Sequence, residues 1–137
     1  MSLASLVHLF LTACQEVPLD RDTEPILGQW TDVFRHFHAF NHHQVSMEEA
    51  LRVVVEHSYA SRGETVDEAK YARDREALLH DGWGTPIRHD YVERDGVCYV
   101  VFRSAGRDRV FGTEHDLTAE QEIPCPEGMG GGGGDAE

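Results

Sequence analysis

The chain has 137 residues, with 12 Lys and Arg set against 25 Asp and Glu, a formal net charge of −13. That length supports one domain with a modest hydrophobic core. The acidic balance argues against nucleic acid as a partner, since such binding draws its affinity from neutralised phosphates, and it suits solubility and the attraction of cations.

Residues 1–14 read in two ways. Leu3 to Ala13 is apolar except for an interruption at His8, far short of the roughly 20 residues that span a bilayer. It ends Leu11-Thr12-Ala13-Cys14, which resembles the lipobox of a bacterial lipoprotein signal. On that reading the protein is exported, periplasmic or anchored in the outer membrane by lipid on Cys14, and touches a membrane only there. On the other reading the segment is a short buried helix, because it lacks the Lys and Arg that open a secretory signal.

Residues 15–25, with two prolines and many charges, read as a linker, and one α+β domain is expected over 26–123. Ile26, Trp30, Val33, Phe34 and Phe37 recur at helical spacing and predict a first helix over 26–40. Ser46-Met-Glu-Glu49 forms a capping box that opens a second helix running to about Ala60. Thr65-Val-Asp-Glu68 forms another, opening a third helix to about His80. Asp95-Gly96, between Ile87–Glu93 and Val97–Arg103, is a hairpin signal, since Gly accepts the positive φ of a tight turn. Val97 to Phe102 is apolar on both faces and predicts a central, covered strand. The expected fold is α+β, N-terminal helices packed on a small antiparallel hairpin sheet that leads into an acidic, metal-binding type of loop. A hairpin alone is marginal, so the helices must cover it. Residues 124–137, with their glycine run, are expected to be a disordered tail.

Catalytic signals are sparse. Nine histidines include His36, His38, His42 and His43, yet His36 and His38 stand two apart on a helix and face different ways. They read as surface histidines around a helix end. No His-Glu-x-x-His and no Gly-x-Ser-x-Gly occurs, and Gly130 to Gly134 lacks the flanking strand and helix of a phosphate loop. The chain therefore reads as non-enzymatic; the second reading is a small metal-dependent enzyme using its histidines and carboxylates. Trp83, between two glycines, reads as a core anchor over the hairpin. Of three cysteines, Cys98 and Cys125 remain as a pair if Cys14 is lipidated; they read as a disulfide in an exported protein or as two free thiols.

The stretch Ser104 to Asp116 carries Gly106 and Gly112 with the carboxylates Asp108, Glu114 and Asp116. Such a loop can turn oxygens inward, and calcium takes roughly 6–8 of them. Two carboxylates brought close without a cation would repel and lift a pKa.

Asp81-Gly-Trp-Gly-Thr-Pro86, the hairpin, Ser104-Ala-Gly-x-Asp108 and Phe111-Gly-Thr-x-x-Asp116 together resemble the C-terminal part of the major pseudopilin of type II secretion, over residues 81–117. The resemblance implies a calcium-ordered loop, with Asp108, Thr113 and Asp116 as side-chain ligands and the carbonyls of Ala105 and Val110 as main-chain ligands. His115 stands where that family often has an acidic residue, and Glu114 is the replacement carboxylate. The implied role is structural or interactive, with protein partners in a secretion, pilus-like or envelope apparatus.

Overall fold

Helix α1 (Asp20–His38) begins well before the predicted start at Ile26, so the second half of the expected linker is helix. Pro25 lies inside it, exposed, where its missing N–H costs one helical hydrogen bond near the end of the element. Burial outweighs that cost. Thr23, Ile26, Leu27, Trp30, Val33, Phe34, Phe37 and His38 form one fully buried stripe. The computed structural model describes residues 20–129; the lipobox-like segment 1–14, the expected linker over 15–19 and the glycine run at 130–134 lie outside them.

Helix α2 (Met47–Ser61) starts where its capping box predicts, with the Ser46 hydroxyl accepting from the Glu49 amide at 3.1 Å. Helix α3 (Glu68–Leu79) starts later than its own box implies. Asp67, not Thr65, is the N-cap, and its carboxylate accepts from the Lys70 amide at 3.1 Å. A carboxylate also complements the positive end of the helix dipole, which explains the choice.

Strands β1 (Arg88–Arg94), β2 (Val97–Ser104) and β3 (Leu117–Ile123) form an antiparallel sheet in the order β1-β2-β3. The fold is α+β, helices before sheet, as expected. The β1–β2 turn uses Asp95 at φ 54° and Gly96 at φ 81°, the two positive angles of a type I′ turn. Strand β2 is central, with Cys98, Val100, Phe102 and Ser104 buried beneath the helices and Val101 covered on the other face. Strand β3 is an addition to the expected hairpin. Its outward positions, Thr118, Glu120 and Glu122, are polar, so its sequence alternates weakly and hides a strand that pairs with β2 along its whole length.

Helix α1 packs across β2 and β3 and against α2. Trp30, with its ring 6.2 Å from Phe102 and 6.3 Å from Phe34, is the aromatic centre of the core. Its indole N–H donates to the Leu78 carbonyl at 2.7 Å, satisfying one of the carbonyls that the end of α3 leaves without a helical partner. Trp83 is only half-buried, so the expected anchor over the hairpin is Trp30 instead.

The chain after β3 departs from the expected disorder. Cys125 forms a disulfide with Cys98, Cα to Cα 5.1 Å. Pro126 is fully buried, and the Glu127 amide donates to the His42 carbonyl at 2.6 Å. Residues 124–129 therefore strap the end of β2 to the loop between α1 and α2. Among the described residues no helix is long and apolar enough to cross a membrane.

Candidate functional site

The loop between β2 and β3 rests on a buried carboxylate. Asp81, 5 % exposed, accepts through Oδ1 from the amides of Trp83 and Thr85, both at 2.9 Å. Its Oδ2 accepts from the Ser104 hydroxyl at 2.7 Å, and the Ser104 oxygen accepts in turn from the Gly106 amide at 3.1 Å. Asp is suited to this, because its short side chain folds onto amides just downstream and replaces backbone turn bonds. The same turn is tied to α1, where the Thr23 hydroxyl oxygen accepts from the Gly82 amide at 2.9 Å. The two motifs, 81–86 and 104–116, are thus joined side chain to side chain. Ser104 reads from sequence only as part of a tight turn; the structure makes it the link.

From Ser104 the backbone enters the Gly106–Asp108 turn at φ 79°, and a Cβ at Gly106 would lie 2.0 Å from the His115 carbonyl oxygen. Only glycine lets the two limbs of the loop pass this closely. Asp108 then curls back and accepts from the Val110 amide at 3.0 Å and from the Thr113 hydroxyl at 2.6 Å. Asp116 arrives from the other limb and accepts from the Gly112 amide at 2.8 Å and, more weakly, from the Thr113 amide at 3.4 Å. The Val110 carbonyl lies 3.5 Å from the Thr113 hydroxyl. Asp108, Val110, Thr113 and Asp116 are therefore gathered around one residue, Thr113.

The other predicted ligands fare differently. Ala105 is fully buried at the base of the loop, at the N-cap of the short turn. Glu114 is turned to solvent, with its side chain 87 % exposed and His115 Nε2 at 3.8 Å. None of the described hydrogen bonds or ion pairs joins it to Asp108 or Asp116, because the Gly112–Thr113 bend directs it outward.

Charge around the loop is mixed. Arg107 and Arg109 point into solvent and leave the Asp108 oxygens to their hydrogen-bond donors. Arg103 approaches Asp116 at 3.9 Å, and the Arg88 guanidinium lies over the Phe111 ring at 3.8 Å, pinning the outer limb to β1. The expected upward pKa shift does not occur at Asp108. Its carboxyl is held below the usual range, first by the Thr113 hydroxyl and then by the Val110 amide. Donors surround it, so the charged form is favoured over repulsion from a second carboxylate.

The described histidines form no metal-holding group. His36 is exposed and bonds the Asp32 carbonyl at 2.8 Å, while His42 and His43 lie at the surface. His38 does not belong with them: it is 1 % exposed and fully hydrogen-bonded. Its place on the buried stripe of α1 could have been found by extending the Phe34 and Phe37 spacing by one turn. Among the described residues no group of three or more His, Cys, Asp or Glu is placed to hold a metal ion. A calcium loop draws on hydroxyl and main-chain oxygens as well, and such donors fall outside that set.

Compared with family models, curated proteins and solved structures, the chain matches none.

Proposed function

We propose that this chain is a non-enzymatic, exported domain whose loop at 105–116 is ordered by calcium, with a structural or interaction role in a secretion-type or pilus-like envelope apparatus. One observation carries the reading: two carboxylates from opposite limbs of the loop meet at Thr113, with the Val110 carbonyl beside them. Oxygen donors of these types suit a hard cation. Asp108, Thr113, Asp116 and the Val110 carbonyl would hold the ion, with water completing the shell. The resemblance of residues 81–117 to the major pseudopilin supplies the role, and the packing of α1 across an antiparallel sheet fits it. Export is consistent with the disulfide, since such bonds persist in oxidising compartments.

The test is thermal melting with calcium and with a chelator. An ion that binds only the folded state adds about 2.7 kcal/mol at a hundredfold excess over its Kd, so the midpoint should keep climbing with the logarithm of calcium concentration above Kd. Asp108→Ala and Asp116→Ala should each abolish the climb. A midpoint indifferent to calcium in the unaltered protein would reject the calcium loop.

A further inference from the structure

The α1–α2 loop, residues 39–46, is held to the sheet by a directed chain of hydrogen bonds through the buried His38 and the half-buried Tyr91. His38 Nδ1 lies 3.0 Å from the Asn41 carbonyl, which can only accept, so Nδ1 carries the proton. Nε2 is then an acceptor in the neutral ring. It faces the Tyr91 hydroxyl at 2.8 Å, and that hydroxyl accepts from the Val45 amide at 3.1 Å. The direction is therefore fixed: Val45 N–H to Tyr91 O–H to His38 Nε2, and His38 Nδ1–H to the Asn41 carbonyl. His89 Nε2 adds a second hold, 3.1 Å from the Val45 carbonyl.

A proton added at His38 Nε2 breaks this sequence. The imidazolium has two donors and no acceptor, so the Tyr91 hydroxyl loses its one described acceptor and its oxygen must be shared between the His38 Nε2–H and the Val45 amide, which weakens the hold on Val45. Glu49 and Asp90 line the surface beside Val45, His89 and Tyr91, and neither hydrogen-bonds the His38 ring, whose two nitrogens are taken by Asn41 and Tyr91. On its own helix His38 meets the Phe34 and Phe37 rings, and on β1 it meets Tyr91, with His89 behind Phe34. From the loop the facing groups are His43 and His42, which oppose a positive charge. From the strap, Glu127 reaches the loop through its backbone amide, which donates to the His42 carbonyl.

We propose that the His38–Tyr91 pair is a pH-sensitive latch that fastens the α1–α2 loop, with its exposed Phe40, to the sheet at neutral pH and releases it on acidification. Phe40 is 81 % exposed, so the loop already presents an aromatic ring at the surface. Burial, the largest influence, holds the His38 imidazole below its ordinary 6.5, and His43 and His42 push the same way against the Asn41 bond. The sign follows. The folded protein disfavours the proton, so the latch is complete above the unfolded-state value and weakens as pH falls from there through the depressed folded value.

The test is amide hydrogen exchange by NMR on the full chain at pH 7.5 and pH 5.0, expressed as protection factors to remove the intrinsic pH effect. Protection of the Val45 amide should fall about tenfold or more on acidification, while Val100 and Phe102 in β2 hold theirs. Tyr91→Phe should show low Val45 protection at both pH values, and the double variant His42→Asn, His43→Asn should keep the pH step. Should Tyr91→Phe fail to fold, the unaltered protein and the double variant decide alone. Val45 protection that ignores pH, or a step that vanishes with His42 and His43, overturns the latch.

Discussion

Breaking the Cys98–Cys125 disulfide should cost the protein a large share of its stability. The bridge spans 27 residues, and in the chain-entropy model a closed loop of that size contributes about 3.5 kcal/mol by restricting the unfolded chain. The folded state adds to this, because the bond anchors the strap that buries Pro126 and meets His42. At about 2.1 cal/mol/K of unfolding entropy per residue over the described domain, such a loss lowers Tm by roughly 15 °C. The cleanest perturbation is reduction of the unaltered protein, followed by calorimetry with and without a dithiol. Cys98 is fully buried in β2, so a Cys98→Ser exchange would bury a hydroxyl and confuse the result. The paired Cys98→Ala, Cys125→Ala variant should reproduce the reduced protein closely. A thiol count in denaturant must first show both residues oxidised. If reduction leaves Tm within a degree or two, the strap contributes nothing and the reasoning fails.

Gly106→Ala should lower stability by about 2 kcal/mol or more, from the positive φ and the collision with the His115 carbonyl together, and chemical denaturation measures it. A near-neutral result would refute the close passage of the Gly106 and His115 limbs. For α3, Asp67→Ala should cost about 1 kcal/mol and Thr65→Ala less than about 0.5, because only Asp67 caps the helix. Equal losses would restore the capping box read from sequence.

The parts of the fold legible in the sequence are those where local chemistry and packing agree. Ser46 caps α2 where the pattern predicts, and Asp95-Gly96 turns the hairpin, because each position admits few residue types. The start of α1 was hidden by Pro25, a residue that speaks for a linker until burial of Thr23 and Ile26 is known. Strand β3 was hidden because an edge strand with one wet face needs few apolar residues. At the loop, Asp108, Thr113 and Asp116 came from the resemblance to the major pseudopilin; the glycines and short acidic side chains alone marked only a chain that turns on itself, and the structure joins both carboxylates to Thr113 by hydrogen bonds. The orientation of Glu114 was not legible, because nothing in a sequence says which way a side chain leaves a bend.

The base of that loop explains why its two motifs occur together. Asp81 folds the 81–85 turn with one oxygen and holds Ser104 with the other, and Ser104 holds the amide of Gly106, where the loop begins. One carboxylate thus fixes both the entry to the hairpin and its exit. Gly106 then brings the exit limb against His115, which sets Asp116 opposite Asp108 across Thr113. The loop is shaped chiefly by hydrogen bonds, with amides and a hydroxyl meeting the carboxylates, and Arg103 and Arg88 adding charge at Asp116 and Phe111. On the proposed reading, an ion entering there would meet oxygens already gathered and would stabilise the folded loop by binding it.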